Sequence, residues 1–433
     1  MKLILKNIGL LKQAEITLYP LCVIAGENDN GKSTVGKIVF CIIKAINRYK
    51  EDLQESKEYQ VNEILQEIYF KFRRALPTDD GQIPDVLRQL RAITTGPANL
   101  PEQLATVREA LEQLEQSGTE TRSTRQDIMD ALEQIQLITD QPEDTRQSIE
   151  NAFNKVFASE FDASLLLQGA KTGTIRLYDG DFLLIHLEVN AASGATLKGD
   201  VDPINIKDVT FIDSPLILNH HDLLIRSQSM LDVDRKPGRS LGRSYTTLHT
   251  KDLFDKLKEP ALPNDLFATR NKALLGNIQK LIAGEISYDK SSRDFVFTKN
   301  AKSISIKNTA SGIKVFGLLQ ILLANEVISK NTMLILDEPE NHLHPKWQLH
   351  LARILVELIK EGIYVLVSSH SPYMIEALKR YADRADLKDT SRFYLAENRT
   401  IEDRNRLGEI FDVLTEPFET FRQMDAEDLR DEY

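Results

Sequence analysis

Three groups of residues, far apart in the chain, carry side chains suited to handling a phosphate. The first is Gly26-Glu27-Asn28-Asp29-Asn30-Gly31-Lys32-Ser33-Thr34. The segment Gly26-x4-Gly31-Lys32-Ser33 has the spacing of a phosphate-binding loop, whose backbone N–H groups turn inward and whose glycines keep side chains out of the way. In such a loop Lys32 reaches the β- and γ-phosphates and the Ser33 hydroxyl ligates Mg²⁺. Gly26, Glu27, Asn28, Asn30, Gly31, Lys32, Ser33 and Thr34 are therefore the candidate nucleotide-binding residues. The second group, Asp337-Glu338, ends the apolar run 332–336. Asp337 is placed to hold Mg²⁺ through its water shell, which makes Ser33 and Asp337 the candidate metal residues. Glu338 is placed to take a proton from an attacking water. The third is His370, at the tip of the apolar run 362–369, where an imidazole can donate to a γ-phosphate. Glu338 and His370 are the catalytic candidates.

Position depends on the elements around these groups. Residues 21–25 are all apolar and suit a buried strand, and the sequence after Thr34 has the apolar content of a core helix. That helix is expected to fade near Lys50, where charged residues accumulate. Two strands, 2–8 and 14–19, are expected ahead of the loop as a small β layer turning at Gly9. From 51 to 160 helical spacing dominates, through Ile64, Ile68 and Phe72, then Leu104, Val107, Leu111 and Leu114, then Ile128, Leu132 and Ile135. This reads as an α-helical insertion whose apolar stripes form its own core. Strand patterns return at 174–178, 182–189 and 208–212, with a turn at Asp179-Gly180-Asp181, and three short strands fall at 285–288, 294–298 and 302–306. Helical spacing covers 267–283 and 312–329.

Composition sets the limits. The chain has 433 residues, 42% hydrophobic and 27% charged, with a formal net charge of −11. That charge argues against broad non-specific binding to nucleic acid. No apolar run has the length of a membrane span, and Cys22 and Cys41 sit in apolar surroundings expected of buried, reduced thiols. A soluble cytoplasmic protein is expected. Arg235, Lys236, Arg239 and Arg243 form the most basic cluster and read as a solvated loop. His220-His221-Asp222 reads as a polar helix start rather than a metal site, and the acidic stretch 426–433 as a solvated or partner-binding end.

The loop, the double carboxylate and the histidine, in this order, resemble the ATP-binding-cassette class of ATPases, to which the RecF, SMC and Rad-type heads belong. Thr309-Ala310-Ser311-Gly312-Ile313-Lys314 resembles a divergent form of that class's signature motif. The resemblance implies an α/β fold: a phosphate-loop ATPase head with a mixed sheet, a small antiparallel β layer and the α-helical insertion. Residues 1–50 and 165–433 would form the split head, and 51–164 the insertion, a possible oligomerisation or partner-binding element. It further implies that Ser311, Gly312 and Lys314 act in trans on the nucleotide of a second copy. Asn341, His342 and His344 would form the dimer-contacting loop of a head-to-head dimer or a higher oligomer of dimers.

More narrowly, D-E-P-E-N-H-L-H-P, S-S-H-S-P-Y and A-S-G-I-K resemble stand-alone ATPases related to the OLD nucleases, nearest to the ATPase subunits of the Septu and PARIS anti-phage systems. On that resemblance the chain binds and hydrolyses ATP with Mg²⁺ and uses head dimerisation to hold, activate or release a separate nuclease or toxin effector. Nucleic acid or a phage protein would be the trigger, and no membrane is involved. The alternatives are a RecF- or SMC-like repair ATPase acting on DNA, or a scaffold that binds ATP with negligible turnover. Two departures stand out: A-S-G-I-K replaces the transporters' L-S-G-G-Q, and Asp213-Ser214 follows 208–212 where the class carries a glutamine. The D-x-D strand of a TOPRIM nuclease is missing after His370, so no intrinsic nuclease is expected.

Overall fold

The computed structural model describes residues 1–75, 105–109, 122–140, 145–162, 164–220, 246–258 and 272–431. The chain divides into two compact units, one made of Met1–Asn47 with Ile149–Tyr433, the other of Arg48–Ser148. The second boundary thus falls earlier than the expected 164/165.

In the larger unit eleven strands form one sheet. β1 (Lys2–Ile8), β2 (Leu11–Thr17), β4 (Thr172–Asp179), β5 (Phe182–Asn190) and β6 (Gly194–Leu197) make its antiparallel half. β3 (Leu21–Ala25), β7 (Asp208–Ile212), β11 (Thr332–Asp337), β12 (Tyr364–Ser369) and β13 (Ser391–Glu397) make the parallel half, in the order β13-β3-β12-β11-β7. The two-residue β14 (Thr400–Ile401) joins the halves, antiparallel to β13 and parallel to β2. Strands β1 and β2 are therefore not a separate layer: they continue the main sheet. A second, antiparallel sheet of three strands, β8 (Glu285–Asp289), β9 (Asp294–Lys299) and β10 (Lys302–Ser305), is the small layer. This is the expected mixed α/β fold class.

The parallel strands are buried on both faces, as a sheet covered by helices requires. α1 (Lys32–Ala75) starts at the end of the phosphate loop and does not fade near Lys50. No Gly or Pro interrupts residues 37–75, and Lys, Glu, Gln and Leu are strong helix formers, so charge alone does not end the helix. In the smaller unit, Ile68, Phe72, Val107, Ile128 and Ile135 are fully buried in one cluster, joined by α2 (Arg122–Asp140). Leu104, Leu111 and Leu114 lie outside the described residues. α3 (Thr145–Phe161) leads into the larger unit, where Glu150 Oε1 accepts the Leu197 N–H at 2.9 Å and the Asn154 side chain pairs with both backbone groups of Ala195.

Beyond β7 come α4 (Leu248–Lys258) and α5 (Lys272–Ile282). They are followed by α6 (Ser311–Ala324), α7 (Pro345–Lys360), α8 (Pro372–Arg384) and α9 (Leu407–Asp431). The acidic C-terminal stretch is thus helical through Asp431. α1, β7 and α4 are tied by four ion-pair contacts: Lys44 reaches Asp208 at 2.6 Å and Asp252 at 2.7 Å, and Lys256 reaches them at 2.6 and 2.9 Å. Burial would raise the Asp208 carboxyl, but Lys44 and Lys256 hold it down at about 2. Cys22 and Cys41 are buried free thiols, and burial pushes Cys22 up to about 12. Among the described residues no helix is long and apolar enough to cross a membrane.

α6 reaches the small sheet through Gly317. A Cβ built there would lie 2.0 Å from Ile286 Cδ1, a side chain only 3% exposed. Gly317→Val should therefore overpack this contact and cost about 1–3 kcal/mol in chemical denaturation. An unchanged midpoint would show that α6 and β8 part without loss.

Candidate functional site

Parallel register brings the three sequence groups together. Ala25 at the end of β3 pairs with Ser369 on β12, and Ser368 pairs with Asp337 on β11. The loop after β3, the carboxylates after β11 and His370 after β12 therefore emerge at one edge, beyond the C-terminal ends of the strands, where ligands of parallel sheets bind.

The loop is shaped by its glycines. Gly26 has φ +141° and a Cβ on it would lie 2.3 Å from the Ala396 carbonyl oxygen; Gly31 has φ +84° and its Cβ would meet Leu11 at 2.6 Å. Lys32 follows as the first residue of α1, with its ammonium donating to the Gly26 and Glu27 carbonyls at 2.9 Å each. Burial lowers its pKa against the opposing pull of Glu338 and Asp337. Glu338 Oε1 is 3.8 Å from Lys32 Nζ. Ser33 Oγ donates to Asp337 Oδ1 at 3.0 Å, and Ser368 Oγ donates to the same oxygen. Glu27 and Asn28 are exposed, and Asn30 is half-buried with its side-chain oxygen accepting the Arg399 N–H at 3.2 Å. Thr34 is buried, with its side chain against Gly9.

Glu338 stands in the left-handed region, φ 47° and ψ 51°, with its N–H on the Ser368 carbonyl at 2.9 Å. That conformation turns the chain sharply after β11 and is costly for a non-glycine residue. Asn341 Nδ2 donates to Glu338 Oε2 at 2.9 Å, while His370 Nδ1 lies 3.6 Å from both Glu338 and Glu340. Glu340 was not singled out by sequence. Its buried carboxylate oxygen Oε1 accepts from Ser369 Oγ at 2.6 Å, the His370 N–H at 2.7 Å and the Ser371 N–H at 3.1 Å. It thereby fixes the loop that carries His370. The second glutamate of D-E-P-E and the serines flanking His370 were the available signal.

The signature segment lies alongside. Ser311 and Gly312 open α6 half-buried, with Ser311 Oγ donating to the His342 carbonyl at 3.3 Å and Gly312 against the Trp347 ring. Lys314, one turn in, is buried and its pKa is lowered by that burial. Asn341, His342 and His344 are exposed, and His344 Nδ1 caps α7 by accepting the Lys346 N–H. A cavity beside Asp337 and Glu338 is also lined by Asp213, Ser214, Leu336 and Asn341. His220 is exposed; His221, Asp222 and the basic cluster Arg235, Lys236, Arg239 and Arg243 lie outside the described residues.

Known proteins bear on this geometry. Residues 247–375 match the family model of an AAA ATPase domain, a stretch that holds Ser311, Asp337, Glu338 and His370. The energy-coupling factor transporter ATP-binding protein EcfA of Methanothermobacter thermautotrophicus is 35% identical over 65 residues. The chain spans 20% of the length of that curated relative, using 15% of its own. Among solved structures, an Smc head bound to the C-winged helix domain of ScpA aligns with 93% of this chain and 95% of its own, at 12% identity and TM-score 0.37. An Smc head with an extended coiled coil, derived from Pyrococcus furiosus, aligns with 93% and 94% at 12% identity and TM-score 0.38. An ATP-binding cassette of an ABC transporter in its ADP conformation aligns with 96% of each chain at 11% identity and TM-score 0.31.

A pH effect follows from a buried histidine beside the cavity. His249 Nδ1 is 2.6 Å from Glu160 and Nε2 3.2 Å from Asp213. Burial opposes its charging, but Asp213 and Glu160 together raise it to about 9. A raised pKa stabilises the fold fully below the unfolded value of 6.5 and loses that contribution as pH rises through about 9. Wild type should lose roughly 3 kcal/mol of stability between neutral pH and pH about 10 that His249→Gln does not lose. Parallel pH–stability curves for the two proteins would contradict the assignment.

Proposed function

We propose that the chain is an ATP-binding and ATP-hydrolysing subunit. The observation that carries this reading is the convergence of Lys32, Ser33, Asp337, Glu338 and His370 at one edge of the parallel sheet. The match of residues 247–375 to an AAA ATPase domain supports it. Lys32 holds two backbone carbonyls, and the terminal phosphates of ATP offer its ammonium stronger, charged partners. Backbone N–H groups at the start of α1 add a favourable dipole. Glu338 then accepts a proton from the water whose oxygen attacks the γ-phosphorus, as the bond to the ADP oxygen breaks. His370, within 3.6 Å of Glu338, is placed to donate to the γ-phosphate. Ser33 and Asp337 present hard oxygen donors within 3.0 Å of each other, which fits Mg²⁺. Bound there, Mg²⁺ would supply charge neutralisation for the phosphates.

The site is half of a composite one in this proposal. Ser311 and Gly312 sit beside the exposed Asn341 and His342, so a second copy placed head to head would bring its α6 start to the phosphates. The motif resemblance extends the reading to an anti-phage complex in which ATP-driven closure of paired heads holds or releases a separate nuclease or toxin effector. Lys32→Ala should abolish nucleotide binding in equilibrium titration. Glu338→Gln should keep binding, lower ATP turnover by about 10²–10⁴-fold and accumulate an ATP-dependent dimer in mass photometry. Turnover by Glu338→Gln at the wild-type rate would remove Glu338 from the role of base.

A further inference from the structure

One buried ionic group adjoins the nucleotide site without entering the chemistry above. His249, in the first turn of α4, has a side chain 4% exposed and stands between Glu160 near the end of α3 and Asp213 just after β7. Glu160, its side chain 0% exposed, is engaged twice: Oε2 meets His249 Nδ1 at 2.6 Å and Oε1 accepts the His249 N–H at 2.8 Å. The Phe211 and Phe40 rings flank the imidazole at centroid distances of 4.9 and 6.2 Å, so its orientation is fixed by packing as well. Nε2 is then directed at Asp213 Oδ2, 3.2 Å away.

Asp213 differs from its two partners. Its side chain is 44% exposed and it lines the same cavity as Asp337 and Glu338. A half-exposed carboxylate that lines a cavity with the candidate base is thus held by a buried imidazole rather than left to solvent. A purely structural staple could be built from neutral groups, without the desolvation cost of enclosing charges. Pairing with His249 also offsets the charge of Asp213 beside the carboxylates of Asp337 and Glu338.

We infer that Glu160 and His249 are positioning residues that hold the Asp213 carboxylate in the wall of the cavity that Asp337 and Glu338 also line, where it orients the attacking water together with Glu338. The inference rests on the ATPase reading. Asp213 accepts a hydrogen bond from the water; no bond to it forms or breaks, and the proton still passes to Glu338.

The test is steady-state ATP hydrolysis by the full chain carrying Asp213→Asn, Glu160→Gln and the two together. Asp213→Asn, at a half-exposed position, should fold and lower kcat by about tenfold while KM stays within about threefold. Glu160→Gln should lower kcat by a similar factor, and the double variant should be no slower than Asp213→Asn alone, since both act through one group. A wild-type-like kcat in Asp213→Asn overturns the inference. So does a double variant whose loss is the product of the separate losses, because Glu160 would then act independently of Asp213. A Lys32→Ala control separates the two levels. Lys32-dependent turnover with an indifferent Asp213 overturns this inference alone, and turnover that does not depend on Lys32 overturns the ATPase reading with it.

Discussion

The structure depends on one carboxylate oxygen. Asp337 Oδ1 accepts from Ser33, on the first turn of α1, and from Ser368, near the end of β12. The bond to Ser33 joins residues 304 positions apart in sequence. It links the phosphate loop, the carboxylate turn and the strand that delivers His370. A one-residue slip of β12 against β11 would turn Ser368 to the opposite face and break the link. Burial of β3, β11 and β12 on both faces makes that slip costly, so the register of the core sets the geometry of the site.

Charge is distributed around that link in a definite pattern. Lys32 is buried against two carbonyls and near Glu338, an arrangement that leaves the ammonium within reach of a stronger anion. Glu340 collects three donors from the loop after β12 and so holds His370 beside Glu338. Farther from the loop, Lys44, Lys256, Asp208 and Asp252 pin α1 and α4 to β7. The same α4 carries His249 in its first turn, so the helix fastened by that network also carries the imidazole that meets Asp213.

Much of this was legible in the sequence where signal was local. The phosphate loop is a contiguous strand, turn and helix start, and its glycines are demanded by backbone angles and close approach. Asp208–Ile212 and Thr332–Asp337 were readable as strands because each is a short apolar run bounded by polar residues. The length of α1 is not legible in the same way, because an accumulation of charge near Lys50 resembles a helix end although no Gly or Pro stops the helix there. Helices α7 and α8 bury apolar residues at regular helical spacing, Leu351, Leu355 and Leu358 in one and Met374, Ile375 and Leu378 in the other, a signal the sequence carries but the expectations above do not use. Glu340, Ser368 and the Glu160–His249 pair escaped for a different reason. Their roles arise between side chains 29, 31 and 89 positions apart, and no spacing rule reaches across a sheet register.

The central claim is that the loop after β3 reads phosphates. Equilibrium titration of the full chain, in the presence of Mg²⁺, with ATP, ADP, AMP and adenosine tests it most directly. The account predicts that affinity rises with the phosphate chain, with ATP and ADP bound at least about a hundredfold more tightly than adenosine, equivalent to about 3 kcal/mol carried by the phosphates. Adenosine binding as tightly as ATP would contradict it.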